Sequence, residues 1–354
     1  MADKLRCAVI GTGAIGIQHL LSLQACPRAS AVAISETNPQ RSKETCDRFK
    51  LPRAYNDYRE LLEQPDIEAV IISVPNYLHA QVAIEALKAR KHVLLEKPMA
   101  MSFKDAAKIV EVAKKSRCTL MVAQNFRFNR YSQLARMMID KGEFGDIYHA
   151  RAFWMRRSGI PRIGSWFTQK QFAGGGCTYD IGCHFLDLAM HLMKDFEAES
   201  VSAQLFAKFG PRGVGEFDWG KSEVNPQKPF DVEDCAVALV KMKSGRTILL
   251  ETSWAGFLPP DAREYGLDLM GTNAGLSLFP AKVFRNGESG YESVHLHLNG
   301  QKLPHAEDRI HHFVGCVLDG KKPVITLDES LKLQQVLDAI YTSAETGREV
   351  RLKN

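Results

Sequence analysis

The sequence lacks any run approaching the ~20 apolar residues of a membrane-spanning helix. That excludes a helical integral membrane protein. It also lacks a C-x-x-C pair among its eight cysteines, Cys7, Cys26, Cys46, Cys118, Cys177, Cys183, Cys235 and Cys316. Scattered cysteines of this kind fit free, mostly buried thiols in a reducing compartment. No apolar signal region with a small-residue cleavage site follows Met1-Ala2-Asp3-Lys4. The expectation is therefore a cytoplasmic protein. Charge of one sign is scarce as well. Lys+Arg is 46 against 41 for Asp+Glu, a formal net charge of +5 over 354 residues. So small an excess argues against a nucleic-acid partner. Short runs such as Lys114-Lys115 and Lys321-Lys322 read as solvated surface. There is no internal repeat and no low-complexity tract. What is present is an ordinary globular composition, 45% apolar and 25% charged, in a chain long enough for about two domains and a large core.

Residues 1–125 alternate short apolar strands with helical segments. Strands are expected at 5–10, 31–35, 68–74, 92–95 and 119–124, with helices at 14–26, 39–49, 77–89 and 102–115. Such alternation implies crossover units and a parallel sheet covered on both faces. From 126 to 354 the pattern changes to longer, period-two strands, at 201–208, 235–242, 247–254, 265–269 and 293–298. A sheet with one buried face reads this way. Lys243-Ser244-Gly245-Arg246 reads as a hairpin turn, and residues 211–229 as an irregular excursion. Helices are expected at 180–193, 306–318 and 329–345. The fold class is an α/β Rossmann domain (1–125) followed by an α+β domain (126–354) with a large, mostly antiparallel open sheet.

Three constellations carry chemistry. Gly11-Thr12-Gly13-Ala14-Ile15-Gly16 follows a strand and opens a helix. The glycines allow a tight turn, close approach of a pyrophosphate and close helix–strand packing, and the helix N-terminus favours phosphate. Glu36 lies 20 residues beyond Gly16, where an acid bonds an adenosine ribose. It favours NAD over NADP, although Ser35, Asn38 and Arg41 lie near enough to share the pocket and Arg41 can pair with a phosphate. Second, Glu96-Lys97-Pro98 sits at the carboxyl end of an expected strand, where open α/β sheets bind ligands. Pro98 keeps Lys97 out of the helical region and helps to aim it. A surface ion pair between Glu96 and Lys97 explains the same residues. Third, Gly174-Gly175-Gly176 precedes Asp180 and His184, which share one helix face at i,i+4. That face continues through Asp187 and His191, with Ile181, Phe185, Leu188 and Leu192 as the core stripe. It lacks the H-x-x-x-H pairing of helical zinc sites, so no metal is expected. It also reads as the polar outer face of a helix.

Together these residues resemble the glucose–fructose oxidoreductase, inositol dehydrogenase and rhizopine-catabolism (Gfo/Idh/MocA) family. The glycine loop, Val74-Pro75-Asn76-x-x-His79, Glu96-Lys97-Pro98 and Asp180-x-x-x-His184 occur in family order, and Ala339-Ile340-Tyr341-x-Ser343-Ala344-x-x-Gly347 resembles the family's C-terminal helix. The resemblance implies an NAD(P)-dependent oxidoreductase moving a hydride between a nicotinamide cofactor and a secondary hydroxyl of a sugar, glycoside or polyol. It implies Lys97, Asp180 and His184 as the catalytic set. Ser73, Pro75, Asn76, His79, Glu96 and Asn125 would then line the nicotinamide side. The segment 156–166, with Arg157 and Trp166, falls where members contact substrate. Tyr179 stands where many members have an aliphatic residue. Arg127, Arg130, Arg156, Arg157 and Arg162 are candidates for an anionic substrate group, against the commoner fate of surface pairing. The resemblance also implies a homodimer or homotetramer built on the open sheet. The sequence leaves both Lys97 and His184 as candidates for the general base. Two other readings remain: a glycoside hydrolase cycling a tightly held NAD, and a non-catalytic sugar- or cofactor-binding regulator.

Overall fold

The computed structural model describes residues 4–217, 223–225, 227, 230–288, 290–298, 300, 302–305 and 308–352. The excursion expected at 211–229 therefore lies partly outside the described residues. In chain order the first elements are β1 (Leu5–Ile10), α1 (Ala14–Ala25), β2 (Ala29–Ser35), α2 (Pro39–Phe49), β3 (Ala54–Tyr55), α3 (Tyr58–Leu62), β4 (Ala69–Ile72), α4 (Asn76–Lys88), β5 (His92–Leu95), α5 (Phe103–Ser116) and β6 (Leu120–Val122). The strands form one parallel sheet, ordered β3-β2-β1-β4-β5-β6. All of β4 and residues Cys7, Ala8, Val9 and Ile10 of β1 are buried. Burial on both faces explains why these strands read as unbroken apolar runs. Local caps set the helices: Asn38 accepts from the Arg41 N–H, and Ser102 from the Asp105 N–H at 3.1 Å. The strand order reverses between β1 and β4, the position where doubly wound sheets open a ligand crevice.

The chain continues with α6 (Arg130–Asp140), β7 (Ile147–Met155), β8 (Ile160–Pro161), α7 (Lys170–Ala173), a π-helical turn (Thr178–Gly182) and α8 (Cys183–Met193). Then come β9 (Ala198–Phe206), β10 (Glu216–Phe217), β11 (Cys235–Met242), β12 (Thr247–Ser253), β13 (Tyr265–Gly271), β14 (Ala274–Leu278), β15 (Lys282–Gly287) and β16 (Gly290–His295). Helices α9 (Arg309–Asp319) and α10 (Leu327–Thr346) and strand β17 (Val350–Arg351) follow. A nine-stranded sheet runs β16-β15-β14-β13-β7-β12-β11-β9-β17. Its pairs are antiparallel except β7 with β12. Residues Ala238, Leu250, Ala152 and Leu267 stand in one cross-strand row of the buried face. The other face shows Val237, Leu239 and Met270, each more than a third exposed.

Contacts divide the chain into two units, and the first is discontinuous. It joins the residues up to Gln124 with a late segment ending at Leu331 that carries α9. The expectation drew one cut at 125/126. A segment that returns to an earlier unit leaves no mark on local periodicity. All eleven residues of α8 are buried, so the polar-outer-face reading is wrong for His184, Asp187 and His191, while Asp180, just before the helix, is half-buried. The helix expected over 180–193 is present, with its first residues, through Gly182, wound as a π turn that runs directly into α8 at Cys183. Among the described residues no helix is long and apolar enough to cross a membrane.

Candidate active site

In the first unit, the glycine loop joins β1 to α1. Gly11 adopts φ +88°, and a β-carbon there would lie 2.7 Å from the Ser73 carbonyl oxygen. Only glycine fits so close a crossing. A β-carbon on Gly16 would lie 2.1 Å from the Gly11 oxygen, so the third glycine lets α1 pack against the loop. Gly13 differs: nothing lies within 4 Å of where its β-carbon would be. It heads α1 with no side-chain cap and no acid in the first turn. An open approach beside uncapped N–H groups suits an anionic diphosphate. Glu36 ends β2's turn side and is 7% exposed. Its carboxylate accepts from the Thr12 N–H at 3.0 Å, the Thr12 hydroxyl at 2.8 Å, the Asn38 N–H at 3.0 Å and Arg41 at 3.3 Å. Burial opposes its ionisation, but these hydrogen bonds and the Arg41 charge override it and hold the pKa below its ordinary value. The loop, Glu36 and Arg41 fit a dinucleotide, with Ser73 bracing the loop by donating to the Gly11 oxygen at 2.8 Å.

Lys97 follows β5 and is half-buried, and the Lys97–Pro98 peptide is cis. Glu96 is no surface partner for it. Glu96 is 8% exposed and accepts from His19 at 2.8 Å and Arg309 at 3.4 Å. Its other oxygen takes the Lys97 backbone N–H at 3.2 Å. Burial raises its pKa, yet the His19 bond and the Arg309 charge win and hold it far below the usual carboxylate range. Burial pushes His19 down, so neutral His19 donates Nε2–H to the Glu96 anion. A depressed folded-state pKa contributes stability above the ordinary glutamate value of about 4.3 and loses it as pH falls. Below about pH 5 the wild type is expected to lose unfolding free energy more steeply than Glu96→Gln. Denaturation midpoints across pH 3–7 check this, and parallel curves would show that the Glu96 charge contributes nothing. His79 is buried, with Nδ1 2.7 Å from the Pro98 oxygen and Nε2 2.9 Å from the Val74 oxygen. It braces the Pro75-Asn76 turn against the Lys97–Pro98 turn, with both ring nitrogens engaged. Asn76 is buried as the first residue of α4.

In the second unit, the π turn presents Asp180, half-buried, whose Oδ2 accepts from the Trp254 indole N–H at 2.9 Å. π turns interrupt helices at functional sites more often than elsewhere. His184, 8% exposed, follows on α8 with its ring 5.6 Å from Phe126 and 6.1 Å from Trp154, centroid to centroid. The aromatic wall shields the imidazole on two sides. Asn125 is exposed at the head of a short 3-10 turn, Asn125–Phe128. Arg157 is exposed, and Trp166 is half-buried and stacked 3.8 Å from Phe167.

Two expected substrate residues are placed elsewhere. Arg127 is 2% exposed and donates to both Asp187 oxygens, at 2.8 and 2.6 Å, with its guanidinium over Phe196. That fork is spent inside the core. Tyr179 is 2% exposed and turned toward α10, where it donates to Asp338 at 3.2 Å and accepts from Gln334 at 2.9 Å. The remainder of the His/Asp stripe is matched by arginines, since His191 receives Arg136 on its carbonyl at 2.9 Å. Sequence reasoning missed Trp254, Phe126, Trp154, His19 and Arg309. Each acts across a long separation in the chain, which no local pattern records.

Comparison with known proteins follows the same division. Residues 5–124 match an oxidoreductase family with an NAD-binding Rossmann fold, which defines the first unit as an NAD-binding domain. Residues 132–277 match the GFO/IDH/MocA C-terminal domain. The chain belongs to the Gfo/Idh/MocA oxidoreductase family. D-Glucoside 3-dehydrogenase of Escherichia coli (strain K12) is 29% identical over 363 residues, covering 99% of this chain and 98% of the relative. Levoglucosan dehydrogenase of Pseudarthrobacter phenanthrenivorans is 31% identical over 256 residues, 69% of this chain and 66% of the relative. A solved structure of a levoglucosan dehydrogenase in complex with NADH and levoglucosan shares the fold. It gives a TM-score of 0.86 at 24% identity, over 99% of this chain and 100% of that one.

Proposed function

We propose that this protein oxidises or reduces a secondary hydroxyl on a sugar, glycoside or polyol ring. The observation that carries the reading is Asp180, held by the Trp254 indole, followed one turn later by His184 in the second unit, in a chain whose first unit binds NAD. His184 takes the hydroxyl proton, since a neutral imidazole nitrogen is a base that can accept it. Asp180, fixed by Trp254, orients the ring. Lys97 donates a hydrogen bond to the reacting oxygen as negative charge develops. Bound NAD supplies the hydride acceptor at its nicotinamide C4. Gly11, Gly13, Ala14, Ile15 and Glu36 are the residues for the diphosphate and ribose, with Ser73, Pro75, Asn76, Glu96 and Asn125 toward the nicotinamide. Arg157 and Trp166 remain the candidates for substrate contact. The named substrates of the relatives, a D-glucoside and levoglucosan, support a pyranose ring.

Free thiols at all eight cysteines support a cytoplasmic setting. The exposed Val237, Leu239 and Met270 support a homodimer or homotetramer formed on that sheet face.

The test is nicotinamide reduction with NAD and NADP separately, across inositols, aldoses, 1,5-anhydro sugars and glucosides. Turnover is expected with one ring class and with NAD ahead of NADP. Lys97→Ala is expected to lower it by about 10²-fold or more. No reduction on any ring would overturn the dehydrogenase reading. Cleavage of a glycoside without accumulated NADH would replace it with a hydrolase.

A further inference from the structure

The π turn that carries Asp180 begins without a cap of its own. Cys177 stands at its N-cap position and makes no side-chain cap bond. The first N–H groups of a helical segment need acceptors. Here they find one far away in the chain. The Glu233 carboxylate accepts from the Gly176 N–H at 2.9 Å through one oxygen and from the Thr178 N–H at 2.9 Å through the other. The Tyr341 hydroxyl of α10 donates to it at 2.8 Å. The Glu233 carbonyl oxygen takes the Cys177 N–H at 3.2 Å. Glu233 is 5% exposed, so these donors stand in for the water its carboxylate gives up, and an acidic group at this end also complements the helix dipole.

The glycine run is shaped to this arrangement. A β-carbon on Gly176 would lie 1.9 Å from the Glu233 carbonyl oxygen, and one on Gly175 would lie 1.8 Å from the Tyr341 hydroxyl oxygen. Both glycines exist at the points where Glu233 and Tyr341 come closest. At the middle of the turn, Trp254 holds the Asp180 carboxylate. The segment is pinned before and at Asp180, one turn ahead of His184. The next residue, Asp234, is buried and serves a different loop, accepting from the Lys208, Phe209 and Gly210 N–H groups.

We propose that Glu233, braced by Tyr341, is a positioning residue that fixes where the Asp180–His184 pair points. The inference rests on the dehydrogenase reading for its kinetic consequence only. Reacting groups misplaced by about 1 Å lose on the order of 10²-fold in rate. In Glu233→Gln one donor must face an amide NH2, so the cap fails on one side.

The experiment compares the wild type, Glu233→Gln, Tyr341→Phe and Asp234→Asn by steady-state kinetics and by amide hydrogen exchange over residues 174–184. Glu233→Gln is expected to lower kcat by about 10–100-fold, with the KM for NAD unchanged, and to speed exchange in that segment. Tyr341→Phe, which keeps both N–H bonds, is expected to lower kcat by roughly 3–10-fold and serves if Glu233→Gln does not fold. Asp234→Asn loosens 208–210 and leaves kcat and the 174–184 exchange near wild type. Wild-type exchange in both Glu233→Gln and Tyr341→Phe, or a wild-type kcat in both, overturns the proposal. If the wild type turns over no ring at all, the dehydrogenase reading fails, and exchange alone still decides whether Glu233 fixes the segment.

Discussion

Replacing His184 by alanine is expected to lower turnover by about 10²–10⁴-fold while NADH binding survives. That range is what a positioned general base contributes. The split between the two effects follows from where the side chain sits. His184 packs against Phe126 and Trp154 in the second unit, whereas the glycine loop and Glu36 belong to the first. Alanine also leaves a void against two aromatic rings, so His184→Gln is the companion variant. It keeps most of the volume and offers no group that titrates near neutrality. Turnover measured with the best ring substrate, beside a fluorescence titration with NADH, separates the two effects. Unchanged turnover in both variants would remove His184 from the chemistry and leave Lys97 as the base.

The second large effect falls on stability. Arg127→Met is expected to destabilise the protein by about 3–5 kcal/mol. The Arg127 and Asp187 side chains are 0% and 2% exposed, and their contact is bidentate. Removing the guanidinium strands a carboxylate in the core, and the loss of ionic partnership there costs far more than at a surface. Replacing both, Arg127→Met with Asp187→Leu, is expected to recover most of the loss, because an apolar pair of similar volume has no charge to desolvate. Denaturant midpoints for the wild type, the single and the double variant test this. A single variant as stable as the wild type would show that the pair is dispensable. This result would also bear on the substrate question, since an arginine spent in this way is withdrawn from binding an anionic sugar.

What could be read from the residues alone has a common character. The glycine loop, the acid 20 residues beyond it, the cap at Ser102 and the hairpin at 243–246 are set by neighbours in the chain, so spacing reveals them. The alternation of apolar strands and helices gave the parallel sheet for the same reason. The short strands β3 and β14 and strand β15 escaped, because two to six residues with mixed burial carry little periodic signal. The site was legible in its residue types and not in its supports. Glu96 suggested a surface pair with its neighbour, and its partly buried partner Arg309 is 213 residues away. Tyr179, beside Asp180 in the chain, turns away to α10. The widening of the helix at the π turn decouples neighbouring directions, which a regular i,i+4 argument does not anticipate. Arg127 looked available because arginine usually stays near water, and only packing shows otherwise.

The return of α9 to the first unit has a consequence in time as well as in space. Glu96 and His19 are made early in synthesis, and the guanidinium that pairs with the Glu96 carboxylate arrives with Arg309. At about 5–20 residues per second, that is roughly 180 residues and on the order of ten to forty seconds after the sixth strand has left the ribosome. During that interval the nascent cofactor domain holds the Glu96 carboxylate, at the end of its fifth strand, without the arginine partner. Its last closing step is written into the far end of the message, so a chain stopped before α9 would yield a domain with every strand of its sheet and an unfinished core.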